Sequence, residues 1–462
     1  MLAKFKKKYI GDWDFYQKYL LLAIPMILQN AITNLVSFLD NIMVGQLGTE
    51  QMSGVAIVNQ LIFVYNLAIF GAVSAASIFG AQYFGKGNHK GHMYSFRFKL
   101  YATLLVTGGA ILLFLTKGSA LISLYLTDTV GNGATDLALQ YGLEYLAIMM
   151  VGLIPFAVNQ SYATNIKETG QTFIPMLASF VAVGTNAILD YLMIFGIGPF
   201  PELGVQGAAL ATVIARYIEA LIVVIWAHIH RGKNRYLEGA YTGFGIPLAE
   251  LKAILIKGFP LMMNEVLWAA GMTTVTQCYS VRGLDVVAGL NIASTITNLF
   301  NIVYLQLGSC ISIVVGQYLG AGKLEDAKDA DNKMIVFSVF CCVIMAALMF
   351  VVGGFFPGIY NTTEEIRELA TSFIAVSAII MPFCAFSHAS YFTLRSGGKT
   401  VVTFLFDSVF TWVIVVPAAY LLAHLTGLGI VSIYFLVQGT ELIKVIIGYL
   451  MVKSNVWVVQ MV

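Results

Sequence analysis

The chain has 462 residues, of which 58% are hydrophobic and only 11% are charged, and its formal net charge is +2. A water-soluble protein of this size carries roughly 25% charged residues, so the composition excludes a soluble globular protein and predicts that lipid is the solvent. The small net charge gives no sign of nucleic-acid binding, and we expect no nucleic acid among the partners.

Apolar segments of about 20 residues recur along the chain, each long enough to cross about 30 Å of hydrocarbon as a helix. Strands of a membrane barrel would instead be runs of about ten residues with alternating polarity. We therefore predict an all-α integral membrane protein with twelve transmembrane helices. The predicted spans are 17–44, 52–81, 98–116, 137–164, 173–195, 205–228, 259–281, 287–317, 334–356, 366–393, 400–423 and 427–452.

Lysine and arginine are distributed unevenly between the two sides of these spans. They precede the first span and follow the second, sixth, eighth and tenth, whereas the opposite loops hold only Lys117, Arg282 and Arg367. The positive-inside rule then places both termini in the cytoplasm. The expected location is the plasma membrane, with the lipid bilayer as a partner and the protein as a monomer.

One signature occurs twice, with an offset of 235 residues. Gln82-Tyr83-Phe84-Gly85-Lys86-Gly87 returns as Gln317-Tyr318-Leu319-Gly320-Ala321-Gly322, and the same offset relates Pro25 to Pro260. At an offset of 227, Pro155 in the fourth span corresponds to Pro382 in the tenth. At the same offset, Gly170 after the fourth span corresponds to Gly397 after the tenth. The chain is thus a duplication in which helices 1–6 match helices 7–12.

Six helices per half bring the chain back to its starting side, so the repeat is parallel and its axis runs along the membrane normal. We predict an N-terminal six-helix lobe at 1–228, a cytoplasmic linker at 229–258 and a C-terminal six-helix lobe at 259–462. Within the linker, Pro247 to Lys257 is predicted to form a short amphipathic helix. In duplicated membrane proteins the substrate path usually lies between the halves.

The first helix carries a polar stripe that ends in an acid. Asn30, Thr33, Ser37 and Asp40 follow each other at spacings of three and four residues, and Asn34 lies close to the same face. A charged side chain inside the bilayer costs roughly several kcal/mol, so an acid within a membrane helix is a functional candidate. The alternative is a structural hydrogen-bond clasp between helices.

The fifth helix carries a second acid, Asp190, one turn after Asn186. Two carboxylates in one cavity cannot both carry a charge cheaply, so one of them can hold a proton near neutral pH. Carboxylate, amide and hydroxyl oxygens are equally suited to a hard cation such as Na⁺, for which Asp40 and Asp190 would be the charged ligands. The alternative for Asp190 is a position at a helix end or in a loop.

Further polar groups are candidates for the same cavity or for one in the second half. Tyr141, Asn159 and Thr212 lie on the fourth and sixth helices, although such groups also serve as interhelical hydrogen bonds. In the second half, Glu265 precedes Trp268 by one turn, a pairing that suits an organic cation. Arg216 with Glu219, and Glu441 with Lys444, are each predicted to be intrahelical ion pairs.

Soluble catalytic motifs are missing from the sequence. It has no phosphate-binding glycine loop followed by lysine and no serine elbow. The five cysteines show no spacing typical of zinc or of a disulfide framework. We therefore predict that the protein is not an enzyme and requires no cofactor.

The whole chain resembles the multidrug and toxic compound extrusion (MATE) family of secondary transporters. The similarity rests on Pro25, Asp40-Asn41-Ile42-Met43-Val44-Gly45 with Leu47-Gly48, and the two copies of Gln-Tyr-x-Gly, together with Asn186-Ala187-Ile188-Leu189-Asp190 and Gly204-Val205-Gln206-Gly207-Ala208-Ala209. The resemblance implies two six-helix lobes in a V around a central cavity that opens alternately to each side. It implies export of bulky, often cationic small-molecule drugs or toxic metabolites, driven by inward flow of protons or Na⁺.

The branch of the family that resembles DinF proteins uses the acid on the first helix for coupling, and Asp40 matches it. Asn186 and Asp190 match that branch's partners on the fifth helix, and Tyr141, Asn159 and Thr212 match the rest of the first-lobe cavity. The branch that resembles NorM proteins uses an acid on the seventh helix, but Glu265 lies about one turn before that position, where this chain has Trp268.

Two other function classes fit a duplicated helical bundle. A flippase for lipid-linked sugars would need a cavity rich in arginine and lysine for pyrophosphate, and the spans here contain almost none apart from Arg216 and Lys444. A passive channel or a structural membrane protein would not need paired buried acids. Ion-driven accumulation of substrate in vesicles separates a transporter from the latter class.

Overall fold

A computed structural model describes residues 8–126, 132–243 and 245–462, without the side chains of 36–38 and 132–134. Every regular element in this part of the chain is helical, and twelve helices are long and apolar enough to cross a membrane. The twelve helices are α1 (Trp13–Gly45), α2 (Thr49–Lys86), α3 (His89–Ser123), α4 (Asn132–Glu168), α5 (Phe173–Ile194), α6 (Val205–Ile229), α7 (Leu248–Ser280), α8 (Leu284–Gly320), α9 (Leu324–Gly353), α10 (Glu364–Ser396), α11 (Thr400–Leu425) and α12 (Ile430–Lys453).

The predicted fold class is confirmed, but several helices are longer than the apolar segments that predicted them. Helices α3 and α9 each begin about two to three turns before their predicted spans. The predicted surface helix from Pro247 to Lys257 is wrong as a separate element, because α7 runs without a break from Leu248 to Ser280. Hydropathy detects only the part of a helix that lies in hydrocarbon, so polar first turns escape it.

Proline does not interrupt most of these helices. Pro25, Pro155, Pro260 and Pro382 all lie inside continuous helices. Helix α11 is the irregular one, with π-helical turns at Leu405–Val409 and Thr411–Val415 just before Pro417. Proline removes a backbone donor from the helix, and wider turns are one way for the chain to adjust to that loss.

The chain forms two compact units. Unit 1 contains residues 1–27, 81–88 and 253–462, and unit 2 contains residues 28–80 and 89–252. Helix α1 therefore divides between Ile27 and Leu28, and α2 divides between Gly80 and Ala81. The lobe and linker boundaries at 228 and 259 stay a prediction from the internal repeat.

Unit 2 has an apolar core, and a buried charged cluster lies near the start of α3 and the end of α4. The core includes Val58, Ile122, Ile194 and Ala209, which are fully buried. At the end of α4, the Glu168 carboxylate accepts a hydrogen bond from Lys99 Nζ at 2.5 Å and lies 3.3 Å from His92 Nε2, while Lys99 also donates to Asn165. The Lys99 ammonium and the Glu168 carboxylate thus compensate each other's charge away from water, as buried charges must.

The loop after α6 folds back onto the start of α3 in unit 2. Arg97 donates hydrogen bonds to the carbonyl oxygens of Gly239, Ala240 and Gly245 at 2.6, 2.9 and 2.7 Å. Tyr236 in the same loop is buried, and burial raises the pKa of its phenol well above the usual range. This segment is thus a folded part of unit 2 with its own buried contacts.

The two copies of the Gln-Tyr-x-Gly signature touch each other inside unit 1. A Cβ atom on Gly85 would collide with the backbone of Gln317, and one on Gly320 would collide with the backbone of Gln82. The contact is reciprocal, because each glycine faces the glutamine of the other copy. Glycine is required here by the close approach of the two helix ends.

The C-terminal residues of the chain lie across this crossing. Gln82 Nε2 donates to the carbonyl oxygens of Ser396 and Val459 at 2.9 and 3.2 Å, and Gln82 Oε1 accepts from the backbone N–H of Met461 at 2.8 Å. Gln460 Nε2 donates to the carbonyl oxygen of Gly320 at 3.0 Å. The Gln82 side chain therefore bonds to the backbone of the tail both as a donor and as an acceptor.

Candidate ion-coupling and substrate sites

The two acids of the first half lie together in unit 2. Asp190 on α5 is fully buried, Asp40 on α1 is half-buried, and their carboxyl groups are close enough to interact directly. Oδ1 of Asp40 and both carboxylate oxygens of Asp190 have no partner in hydrogen-bond geometry within the described part of the chain. A buried pair of this kind needs a shared proton or a bound cation to be stable.

Asn186 and Thr212 extend this site along α5 and α6. Asn186 is buried one turn before Asp190, and its Nδ2 donates to Thr212 Oγ1 at 3.4 Å. Helices α5 and α6 pack closely along their length, which places these two residues on facing sides. The site thus offers carboxylate, amide and hydroxyl oxygens, the ligand types that a hard cation prefers.

A second polar network of unit 2 contains Asn159. Gln29 Nε2 donates to Ser179 Oγ at 2.7 Å, Ser179 donates to the Glu219 carboxylate, and Asn159 lies beside the same carboxylate. The sequence did not single out Gln29 or Ser179. Gln29 lies one turn before Thr33 on α1, and Ser179 lies two turns before Asn186 on α5, so both could have been found by extending the polar faces of these helices.

Arg216 and Glu219 do not form the predicted ion pair in the described residues. The Glu219 carboxylate instead accepts from Ser179, while Arg216 Nη1 donates to the carbonyl oxygen of Gly152 at 3.4 Å and its guanidinium lies 5.1 Å from the Phe156 ring centroid. Spacing on one helix favours pairing, but partners on neighbouring helices offer better hydrogen bonds here.

Tyr145 is an aromatic residue whose environment includes the acids, and the place of Tyr141 in the cavity stays a prediction. Tyr141 is half-buried against the apolar core, whereas buried Tyr145 one turn later has Asp40, Asp190 and Arg216 within electrostatic range. Its hydroxyl donates to Asn59 Oδ1 at 3.4 Å. Tyr145 could have been found from the sequence, because it lies one turn after Tyr141 on the same face of α4.

The rest of the polar stripe on α1 bonds largely to its own helix. Thr33 Oγ1 donates to the carbonyl oxygen of Gln29, and Asn34 Nδ2 donates to that of Asn30, both at 2.9 Å. Asn30 itself is half-buried. The side chain of Ser37 lies outside the described residues, so its place in the cavity stays a prediction.

Glu265 and Trp268 lie on α7 in unit 1, and they belong to a different group of side chains. Glu265 is half-buried and has Arg395 and Asp407 within electrostatic range, while Trp268 is 38% exposed. Neighbouring Asn264 is buried and donates to Asp407 Oδ2 at 3.0 Å. The predicted site residues thus form two groups, one in each unit.

Lys444 is not the intrahelical partner of Glu441 that the spacing predicted. Its Nζ lies 2.7 Å from Asp407 Oδ1, and Glu441 Oε1 is buried without a hydrogen-bond partner in the described chain. Asp407 on α11 is thus paired with Lys444 on α12. His388 packs on Tyr304 at 4.7 Å between ring centroids and bonds to the carbonyl oxygen of Cys384, as a packing residue does.

Comparison with known proteins agrees with the fold and the repeat. The profile of the MatE family matches residues 25–192 and 260–421, one match in each half of the chain. A probable multidrug resistance protein NorM from Thermotoga maritima is 23% identical over 438 residues, covering 94% of this chain and 92% of the relative. A second probable NorM, from Halalkalibacterium halodurans, is 24% identical and covers 89% and 88%.

Solved structures of 20% sequence identity share the architecture. An outward-facing multidrug resistance MATE family transporter of the MOP superfamily superposes with a TM-score of 0.85, covering 96% of each chain. A MOP superfamily transporter from Pyrococcus furiosus, described as having a binding pocket of reversed polarity, gives the same score and coverage. Members of this family are transporters and not enzymes. With both halves matched by the family profile and the duplicated twelve-helix fold in place, the chain belongs to the MatE family.

Proposed function

We propose that the protein is a secondary active multidrug efflux antiporter, which exports bulky lipophilic cations in exchange for protons or Na⁺. The observation that carries this proposal is the close pair of buried Asp190 and half-buried Asp40, three of whose carboxylate oxygens have no hydrogen-bond partner among the described residues. A carboxyl pair in an apolar bundle is a costly feature unless it binds and releases an ion. The names of the NorM relatives support the multidrug character.

In this proposal, ion binding and substrate binding alternate as the two halves open to one side and then to the other. Asp40 and Asp190 hold the ion, with Asn186 and Thr212 as neutral partners at 3.4 Å from each other. Protonation or Na⁺ binding neutralises the pair and lowers the cost of burying it, so the ion and a cationic substrate compete for the same negative charge.

The substrate class follows from charge and surface chemistry. Carboxylates in a low-dielectric site attract cations over anions, and apolar walls contribute roughly 25 cal/mol per Å² buried. Methionine side chains such as Met262 on α7 adapt to several shapes. We propose Glu265 and Trp268 as a second contact for organic cations, so Glu265→Gln is expected to change which drugs cells resist.

We also propose a membrane topology and an oligomeric state for the protein. The excess of lysine and arginine on one side supports cytoplasmic termini, and the family matches at 25–192 and 260–421 support lobes at 1–228 and 259–462. We propose a monomer in the plasma membrane. The flippase alternative is disfavoured, because its pyrophosphate would need several free basic groups within the membrane. Here Lys444 is already paired with Asp407.

The test is uptake of a fluorescent lipophilic cation into inside-out membrane vesicles, with a proton gradient and a Na⁺ gradient imposed separately. Wild-type vesicles are expected to accumulate the dye under one of the two gradients, and Asp40→Asn vesicles are expected to accumulate none above background. The ion that drives wild-type uptake identifies the coupling ion.

The matched control is Asp136→Asn, because Asp136 is an exposed acid in the first turns of α4. This variant should transport at the wild-type rate. Uptake by Asp40→Asn at the wild-type rate under the same gradient would reject the coupling role of Asp40. Wild-type uptake that persists without any gradient would identify a passive pathway.

A further inference from the structure

A cavity of about 490 Å³ in unit 1 is lined by residues that precede α1 and residues that follow α12. It is formed by the start of α9, the end of α12 and the segments just before α1 and after α12. Its walls include Asp331, Lys8, Lys453 and Trp457, with Ile335 and Val336 one turn deeper along α9. This cavity shares no residue with the groups around Asp40 or Glu265.

Asp331 is a buried carboxylate in the wall of this cavity without a charged partner. Its side chain is fully buried, its Oδ1 accepts from Thr393 Oγ1 at 2.5 Å, and its Oδ2 has no hydrogen-bond partner in the described chain. No lysine, arginine or histidine of the described ranges lies within ion-pair distance of it. A buried acid in this state is satisfied by a ligand that donates hydrogen bonds and carries positive charge.

The other charges of the cavity divide into paired and unpaired groups. Asp329 is bound to Lys333 at 2.5 Å, and Lys328 is bound to Glu325 at 2.7 Å. Lys8 and Lys453 form no such ion pair in the residues described, and their ammonium groups lie 5.3 and 5.5 Å from the ring centroids of adjacent tyrosines. Among the described residues, the cavity is therefore left with one inner carboxyl group and two outer ammonium groups that form no ion pair.

We expect these groups to lie in the headgroup layer of a bilayer. Asp331 lies three residues, or about 5 Å along the helix axis, before the predicted apolar span 334–356. The headgroup layer occupies roughly 5–8 Å on each side of the hydrocarbon core. Val336, which is 39% exposed, and Tyr449, which is 50% exposed, continue the wall toward the hydrocarbon.

We propose that this cavity binds the headgroup of phosphatidylethanolamine from the leaflet on the side of the termini. The primary ammonium donates to Asp331 Oδ2, the phosphate lies between Lys8 and Lys453, and the acyl chains follow α9 and α12 into the bilayer. The lipid is a resident partner of unit 1, separate from the transported substrate.

Other common headgroups match the cavity less well. Phosphatidylcholine carries the same charges, but its quaternary ammonium has no N–H to donate to a carboxylate. Phosphatidylglycerol matches the lysines but brings no cation to Asp331. A charge-assisted hydrogen bond in a desolvated site corresponds to a preference of about tenfold in affinity, so phosphatidylethanolamine should be preferred over both lipids.

The test is lipid retention by the delipidated full-length protein, measured by native mass spectrometry with equal amounts of the three lipids. The wild type is expected to retain phosphatidylethanolamine about tenfold over phosphatidylcholine. Asp331→Asn keeps the acceptor for Thr393 but loses the charge, and it should lose this preference. The matched control Asp329→Asn, whose native acid is already paired with Lys333, should keep it.

A second pair of variants serves if Asp331→Asn does not fold. Lys453→Gln should weaken binding of phosphatidylethanolamine and phosphatidylcholine alike, whereas Lys333→Gln, which lies outside the cavity, should weaken neither. Equal retention of all three lipids by the wild type, or an unchanged preference in Asp331→Asn, would overturn the proposal. Binding of soluble glycerophosphoethanolamine as tight as that of the lipid would also overturn it, because the occupant would then be a soluble metabolite.

Discussion

At the scale of single residues, the molecule places acids in three different electrostatic situations. Asp190 lies beside another acid, Asp407 lies beside Lys444, and Asp331 lies beside a neutral threonine. The same side chain therefore serves different purposes, because the neighbours decide whether its charge is neutralised by a proton, by a lysine or by a ligand. Each situation has its own response to substitution.

The Asp190 site predicts a loss of transport that depends on pH if protons are the coupling ion. Asp190→Asn removes the mutual repulsion that lets the pair take up a proton, so transport should fall at least about tenfold, and the remaining activity should vary little with pH. Asn186→Ala should reduce transport by a smaller factor, because it removes only a neutral partner. Both are measured as dye uptake in vesicles between pH 6 and 8.

The control is Thr185→Ala, since Thr185 is next to Asn186 but donates to the carbonyl oxygen of Val181 in its own helix. It should transport normally at every pH. An Asp190→Asn protein with the full wild-type rate and pH profile would show that Asp190 has only a structural role.

The Lys444–Asp407 pair predicts a loss of stability. Lys444→Met leaves a buried carboxylate without its 2.7 Å partner, which should cost about 3–5 kcal/mol, as breaking a buried pair does. The double variant Lys444→Met with Asp407→Asn should recover much of this loss, because no uncompensated charge remains. The measurement is the thermal unfolding midpoint in detergent micelles.

Lys328→Met is the comparison for this prediction, because it breaks an exposed pair with Glu325 of the same 2.7 Å length. Exposed pairs contribute about 0–1 kcal/mol, so its midpoint should barely change. Equal destabilisation by Lys444→Met and Lys328→Met would contradict the prediction that loss of the Asp407 partner costs more stability than loss of an exposed pair.

At the scale of helices, glycine marks where two elements approach most closely. The ends of α2 and α8 cross at Gly85 and Gly320, where a single added methyl group meets backbone atoms. Backbone cannot move aside as a flexible side chain can, so the two helices must shift as units. The fold at this crossing thus depends on two positions that carry no side chain.

Gly85→Ala is predicted to destabilise the protein by about 1–3 kcal/mol, the range found for overpacking. The matched control is Gly109→Ala in the interior of α3, where an added Cβ meets nothing within 4 Å. Because alanine favours helix over glycine by up to about 1 kcal/mol, the control should be neutral or slightly stabilising. Thermal unfolding in micelles measures both, and equal midpoints would contradict the close approach.

The helices themselves were largely predictable, whereas their ends and partners were not. Apolar runs placed all twelve spans, because lipid demands that the backbone bond within each helix. The early starts of α3 and α9 were missed, since polar residues of their first turns, such as His92 and Asp331, contact the protein partners Glu168 and Thr393. Asp40 and Asp190 were found from periodicity. Tyr145 and Ser179 lie at helical spacings from residues already singled out, but their partners Asn59 and Glu219 lie on other helices, which no single-helix pattern identifies.

At the scale of the whole molecule, the tail after α12 holds together elements that are far apart in the chain. Trp457 is buried and its backbone lies against Gly397, and the residues that follow bond to Gln82 and Gly320. Residues from near position 80, position 320 and position 400 thus meet the last residues of the chain. This tail has no counterpart in the predicted repeat, so duplication alone did not reveal it.

Truncation after Asn455 is predicted to lower the thermal unfolding midpoint by several degrees. It removes a buried tryptophan, worth about 3–5 kcal/mol on truncation to alanine, and leaves the Gln82 side chain without its tail partners. Removal of Val462 alone should have little effect, because the bond from Met461 to Gln82 remains. An unchanged midpoint in the longer truncation would show that the tail contributes nothing to stability.

The reciprocal crossing of the two signatures has a consequence for the origin of the chain. In a symmetric dimer, an interface where residue i meets j and j meets i is isologous and needs only one kind of subunit. Each half of this chain carries both members of the contact, a glutamine and a glycine three residues later. A gene for a single six-helix half would therefore already have encoded a self-complementary surface, and fusing two copies would have preserved a pairing that was present beforehand.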